Sequence, residues 1–88
     1  GGMIVNIIWY RNKIYQTSAG YKKELDDLAD TLNNTQRQYD SISWAYKIRP
    51  SGLNKTLKRR IHKNLLDIHD VYHRKVEDYI NRGVLVRV

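Results

Sequence analysis

Residues 47–63 read Lys-Ile-Arg-Pro-Ser-Gly-Leu-Asn-Lys-Thr-Leu-Lys-Arg-Arg-Ile-His-Lys. The stretch contains the only proline of the chain and seven of its sixteen Lys and Arg residues, and it has no Asp or Glu. Proline pushes the residue before it out of the helical conformation, and Ser51-Gly52 has the composition of a turn. The sequence therefore predicts a turn at residues 49–53, between two helices and surrounded by positive charge.

A long helix is predicted on each side of this turn. Apolar side chains recur at alternating steps of four and three, which places them on one stripe of a helix. The first stripe is Tyr21, Leu25, Leu28, Leu32, Thr35, Tyr39, Ile42 and Tyr46, and the second is Leu53 or Leu57, then Ile61, Leu65, Ile68, Tyr72, Val76 and Tyr79. The predicted helices cover residues 18–48 and 54–82, with Ser18 as an N-terminal cap and Gly83 at the C-terminal stop.

The segment before the first helix, residues 3–17, has two interpretations. Its β-branched and aromatic composition is typical of a β-hairpin, with Arg11-Asn12-Lys13 as the turn and Asn12 in the left-handed conformation. Alternatively, residues 3–19 begin a longer helix, because short apolar runs are ambiguous by periodicity. The matched lengths of the two helices favour the hairpin, since a helix from Met3 would extend about 25 Å beyond its partner.

The segment after the second helix, residues 84–88, predicts a short strand. Two antiparallel helices joined by a short turn bring both ends together, so this strand can pair with residues 4–10. The predicted fold is mainly α (α+β): a long antiparallel two-helix hairpin with a small antiparallel β-sheet formed by the N- and C-terminal segments. Residues 3–88 form one domain, and Gly1 and Gly2 are set aside as a cloning remnant.

Composition limits the class of protein and of partner. The absence of cysteine excludes disulfides and thiolate metal sites. The N-terminal apolar run is shorter than the roughly 20 residues of a membrane-spanning helix and lacks the features of a signal peptide, so we expect a soluble, cytoplasmic protein without a membrane partner. The net charge of +7 favours association with polyanions, which include nucleic acid and acidic proteins. Because two helices close their own core only marginally, a homo-oligomer is expected, formed through the helices or the sheet edge.

The basic residues around the predicted turn are the candidate anion-binding site. They are Lys47, Arg49, Lys55, Lys58, Arg59, Arg60 and Lys63. Cations in the first turns of the second helix lie at the positive end of its dipole, which costs a few tenths to about 1 kcal/mol each. The alternative is an ordinary solvated helix surface, but a partner explains this clustering better than stability does. Nucleic-acid backbone is the predicted ligand, with little sequence specificity.

Trp44 is a second candidate binding residue. It is rotated by about 200° from Ile42 at 100° per residue, so it points away from the apolar stripe. Three interpretations remain open: stacking on a base, anchoring a protein partner, or packing within a dimer or a folded-back arrangement. The second hypothesis for function is accordingly a protein-interaction hairpin, such as an inhibitor, adaptor or assembly factor, that binds an acidic protein through Trp44.

Signals for catalysis and for metal binding are weak. His69 and His73 are four residues apart, a spacing that can place two imidazoles on one metal ion, but the first helix supplies no recognisable third ligand. The chain contains no nucleophile signature and no phosphate-cradling glycine motif. The sequence therefore predicts no catalytic residue, no metal and no cofactor, and it favours a non-enzymatic binding protein.

Overall fold

The computed structural model describes residues 6–88. The elements in chain order are β1 (Asn6–Tyr10), β2 (Lys13–Thr17), α1 (Ala19–Ile48), α2 (Gly52–Asn81) and β3 (Val86–Arg87). Two long helices pack together, and a three-stranded antiparallel sheet lies at their base. The predicted fold class is confirmed, and the ambiguity before the first helix is resolved in favour of strands, with residues 3–5 of that prediction outside the described residues.

A two-residue turn joins β1 to β2. Tyr10 pairs with Lys13, and Arg11 and Asn12 between them have φ angles of 49° and 63°. Two successive left-handed residues match the twist of an antiparallel hairpin. The left-handed conformation predicted for Asn12 is confirmed, whereas Lys13 belongs to the strand. The Arg11 side chain lies 3.5 Å from Glu77 of α2, so the turn is also tied to the second helix.

The third strand pairs with a different partner from the predicted one. The strand order is β1-β2-β3, and β3 pairs with β2 through Tyr15↔Arg87 and Gln16↔Val86. The prediction that residues 84–88 pair with residues 4–10 is therefore wrong. Because β1 and β3 are both antiparallel to β2, they run in the same direction, and an antiparallel bond between them is impossible.

The hydrophobic core lies at the base, where the sheet covers the two helices. Its buried side chains are Ile8, Tyr10, Tyr15, Leu25, Val76, Tyr79 and Leu85. Farther along the helices the only buried side chains of the described chain are Thr35 and Leu65. Beyond them the apolar stripe is only half-buried, because two helices without a third layer leave their seam open to water on both sides.

Gly83 ends α2 as predicted. Its φ is +75°, a conformation that glycine adopts without steric cost. The N–H of Gly83 donates to the Ile80 carbonyl at 3.1 Å, and the N–H of Val84 donates to the Tyr79 carbonyl at 2.9 Å. These two hydrogen bonds end the helix and turn the chain toward β3. At the same end of the helix pair, Ser18 precedes α1 in an extended conformation, but its side chain makes no capping hydrogen bond.

Polar contacts join the elements at the base. Tyr79 of α2 donates a hydrogen bond to Glu24 of α1 at 2.5 Å, and Lys75 lies 2.8 Å from the same carboxylate oxygen. The hydroxyl of Tyr10 donates to Glu77 at 3.1 Å, which links β1 to α2. The hydrogen bonds from Lys75 and Tyr79 lower the pKa of Glu24, and the Glu24 carboxylate raises the pKa of Tyr79 to about 12.

These contacts predict a loss of stability in acid. Because the pKa of Glu24 is lower in the folded chain than its ordinary 4.5, its stabilising effect is present above that pH and is lost as the pH falls through the folded value. The carboxylate is partly exposed, so the expected effect is on the order of 0.5 kcal/mol. Denaturant unfolding of Glu24→Gln should show a weaker acid dependence than the wild type. Asp30→Asn, at an exposed position, serves as the control and should keep the wild-type dependence.

Candidate nucleic-acid interface

The tip of the molecule is the turn between α1 and α2. The last bond of α1 runs from the Arg49 N–H to the Ala45 carbonyl at 2.9 Å, and Pro50 follows. The Ser51 hydroxyl accepts a hydrogen bond from the Asn54 N–H at 3.1 Å and thereby caps α2. This cap starts α2 at Gly52, two residues before the predicted start at residue 54. The Asn54 side chain also donates to the Arg49 carbonyl at 3.1 Å, which fastens the two helix ends together.

The net charge of the protein is confined to this end. Residues 37–63 carry eight Lys and Arg side chains and one acidic side chain, Asp40, hence a net charge of +7. The rest of the chain carries eight basic and eight acidic side chains and is neutral overall. The formal charge of the whole protein, +7, therefore equals that of its distal third. A field of one sign over so small a surface attracts polyanions.

The distribution of ion pairs matches this segregation. Within residues 6–88, every ion pair joins residues of the two segments 11–27 and 70–82. In the described chain no basic side chain between residues 37 and 63 has an acidic partner within ion-pair distance. The cations of the tip thus remain available to an external anion, whereas those of the base are partly neutralised.

A cleft lies between the helices at the tip. It has a volume of about 250 Å³. Its lining consists of two aromatic residues of α1 and a row on α2: Tyr39, Tyr46, Lys55, Lys58, Arg59 and His62. The four residues of α2 are spaced by three, one and three, so they lie on one face of the helix. We refer to this site as the tip cleft.

Aromatic contacts order the tip cleft. The Lys58 ammonium nitrogen lies 5.4 Å from the centre of the Tyr46 ring, a cation–π geometry. The Tyr39 ring centre lies 5.3 Å from that of His62. Both contacts cross from α1 to α2, so they position the basic row against an aromatic wall.

The tip cleft brings together three of the seven predicted basic residues. Lys55, Lys58 and Arg59 line it, whereas Lys47, Arg49, Arg60 and Lys63 are exposed on the tip outside the lining. The sequence interpretation missed three members of the lining: Tyr39 and Tyr46, which were placed on the apolar stripe, and His62. Tyr46 lies on the predicted apolar stripe, which would bury it, but it is only half-buried because the seam opens there. The seven-residue spacing of the two tyrosines was the available signal.

Trp44 lies on the outer side of α1. It is 64% exposed, in keeping with the predicted rotation, and Ile48, one turn farther on, is 63% exposed. Neither residue lines the tip cleft. Neither lines the groove on the other side of the helix pair, formed by Arg37, Gln38, Ser41, Ile42, Ala45 and Ile61. The role of Trp44 as a partner anchor stays a prediction.

His69 and His73 contact each other near the base. Their Nε2 atoms lie 3.0 Å apart, and Nδ1 of His73 lies 2.7 Å from the Tyr10 hydroxyl. Burial lowers the pKa of His73, and the neighbouring His69 and Arg11 act in the same direction. Among the side chains of residues 6–88, no group of three or more His, Asp or Glu residues could hold a metal ion. His73 thus links β1 to α2 through Tyr10, and the His69 side chain contacts His73.

Comparisons with known proteins provide no assignment of function. The chain matches no protein-family model, no curated protein and no solved structure. No helix within the described residues is long and apolar enough to cross a membrane. The charge and geometry of the tip are accordingly the observations from which a function is argued.

Proposed function

We propose that this chain is a non-enzymatic binding protein whose basic tip engages nucleic-acid backbone with little sequence specificity. The observation that carries the proposal is the charge segregation: the whole net charge of +7 resides in residues 37–63. Backbone binding is driven by release of the counterions condensed on the phosphates, and it needs clustered Lys and Arg side chains rather than a shaped pocket. The proposed contacts are those of Lys55, Lys58, Arg59, Arg60, Lys63, Lys47 and Arg49.

The tip cleft supports the same proposal. Lys55, Lys58 and Arg59 share one face of α2, so they can contact neighbouring phosphates of a single strand. The guanidinium of Arg59 can bind phosphate oxygens in a bidentate manner, and the ammonium groups bind as point charges. The half-buried rings of Tyr39 and Tyr46 supply a wall without base-reading amide groups. Lys and Arg bind both phosphates and guanine edges, so the low sequence specificity proposed here rests on the clustering of charge.

A strong salt dependence of binding is expected. If about five cations contact phosphates, the logarithm of the association constant falls with the logarithm of the salt concentration with a slope of about −4.5. A fourfold rise in salt then weakens binding about 500-fold. Fluorescence anisotropy with two unrelated DNA duplexes and one RNA duplex measures both this slope and the sequence preference. Salt-insensitive binding, or no binding to either DNA or RNA, would remove the proposal.

The alternative function is binding of an acidic protein partner. It is favoured by one specific observation, the adjacent exposed side chains of Trp44 and Ile48 on the outer side of α1. Buried tryptophans are frequent energetic centres of protein interfaces. A partner retained after nuclease treatment and lost with Trp44→Ala would favour this function, whereas a variant that retains every partner would count against it. A homo-oligomer and a cytoplasmic location belong to both proposals.

A further inference from the structure

Within residues 6–88, the strand side chains that face away from the helices are mainly apolar, and none of them is charged. Side chains alternate across a strand, and paired residues of antiparallel strands share a face. Ile8, Tyr10 and Tyr15 are buried against the helices, so the opposite side chains project outward. We call these the outer sheet face: Ile7, Trp9, Ile14, Gln16, Val86 and Val88.

The register arranges these six residues in two rows across the sheet. Trp9 pairs with Ile14, and the N–H of Val88 donates to the Ile14 carbonyl at 3.0 Å, which forms the first row. Ile7 pairs with Gln16 and Gln16 with Val86, which forms the second row. Trp9 is 68% exposed and Val88 66%. A contiguous exposed patch of this composition is typical of an interaction surface rather than of solvated protein.

We propose that the outer sheet face binds the same face of a second copy of this chain. The absence of charge on the face is the first argument, because a charged partner would find no complementary group on it. The only polar side chain, Gln16, carries an amide that both donates and accepts hydrogen bonds. Across a two-fold axis, such an amide can pair with its own copy, and two flat apolar rows can stack as two sheets.

The charge distribution of the whole chain permits this self-association. Two proteins of net charge +7 repel, but the part of the chain outside residues 37–63, which holds the sheet, is neutral overall. Arg59 of the tip and Val76 beneath the sheet are separated by about 25 Å along α2 at 1.5 Å per residue. This distance exceeds the screening length of about 8 Å at physiological ionic strength. Two copies can therefore meet through their sheets without bringing their tip cations within range of each other.

The area of the face sets the expected strength. Full burial of Ile7, Trp9, Val86 and Val88 would remove roughly 450 Å² per copy, or about 900 Å² in total, near the lower limit of specific interfaces. The dimer should accordingly depend on concentration rather than being permanent. In a dimer each particle carries two basic tips, so binding to a long polyanion becomes bivalent; this last consequence rests on the proposed function.

Trp9 provides a direct reporter of the dimer. The chain has two tryptophans, so Trp44→Phe leaves Trp9 as the only one. In the absence of nucleic acid, the mass of this variant measured by light scattering should rise from that of one chain toward that of two between micromolar and near-millimolar concentration. Trp9 emission should shift to shorter wavelength over the same range. A mass of one chain at every concentration, or Trp9 emission that stays that of an exposed indole while the mass doubles, would overturn the proposal.

Two substitutions on the face complete the test. Trp9→Lys and Val86→Lys place a charge in different rows, and both should remain monomeric while keeping the wild-type circular dichroism at low concentration. Trp44→Ser removes a tryptophan of similar exposure elsewhere and should dimerise like the wild type. Dimerisation of both Lys variants with wild-type affinity would refute the outer sheet face as the interface. Because nucleic acid is absent throughout, these results stand apart from the test of the proposed function.

Discussion

Replacing Leu25 by alanine is expected to lower the free energy of unfolding by about 3 kcal/mol. Leu25 is 1% exposed and lies in the core at the base, where the sheet, α1 and α2 meet. The loss combines the transfer free energy of the removed atoms with the cavity left behind. A domain of this size is stable by only about 5 to 10 kcal/mol, so the variant should lose a large share of its stability.

Leu66→Ala is the matched control for this prediction. The same atoms are removed from the interior of a helix, but Leu66 is 55% exposed, so the change should stay within about 0.5 kcal/mol. Urea denaturation followed by circular dichroism measures both variants, at low protein concentration so that association does not contribute. Equal losses at the two positions would contradict a core concentrated at the base.

Replacing Arg59 and Arg60 together by alanine is expected to weaken nucleic-acid binding about 30-fold for every sequence alike. Two charge-assisted contacts of at least about 1 kcal/mol each account for this loss. The salt slope should also become shallower by about 2, because two fewer phosphates are neutralised. Anisotropy titrations with the same two DNA duplexes and the RNA duplex provide both quantities.

The double variant Lys13→Ala/Arg87→Ala tests whether the position of the lost charges, rather than their number, determines nucleic-acid binding. This control has the same net charge, but it removes exposed cations of the sheet at the base. Binding should change by less than about threefold, since the lost charges lie outside the tip. Equal weakening by the two double variants would show that net charge alone drives binding. Single variants add a finer test: Arg59 lines the tip cleft and Arg60 does not, so Arg59→Ala should weaken binding more.

Much of the fold was predictable because its signals are local. The two apolar stripes and Pro50 predicted both helices and the turn, and α1 spans Ala19–Ile48 against a predicted 18–48. The start of α2 was misplaced by two residues because a Ser51 cap and a turn at Ser51-Gly52 have the same composition. The predicted pairing partner of β3 was wrong because amino-acid composition does not indicate the direction of a strand. Pairing between segments far apart in sequence depends on the path of the whole chain.

The candidate site was predictable in its charge but not in its shape. The cations around Pro50 were evident from the sequence, whereas the tip cleft depends on how α1 is rotated against α2. Tyr46 shows why the shape of the site could not be predicted. Its position on the apolar stripe predicted burial, but the stripe is enclosed only where the sheet adds a third layer. The outer sheet face was likewise hidden, because the exposure of Trp9 follows from which side of the hairpin packs on the helices.

The uneven distribution of buried side chains along α1 and α2 also determines how stiff each end of the helix pair is. Free energies of local opening follow the density of buried apolar contacts, and these lie at the base, around Leu25 and Val76. Backbone amides near Pro50 should therefore exchange with solvent much faster than those near the sheet. We therefore expect the end that carries the cations to be the more compliant one, since it is held by a cap and a few aromatic contacts. If the tip binds nucleic acid as proposed, this compliance lets it adjust its spacing to phosphates of different helical geometry while the base stays rigid.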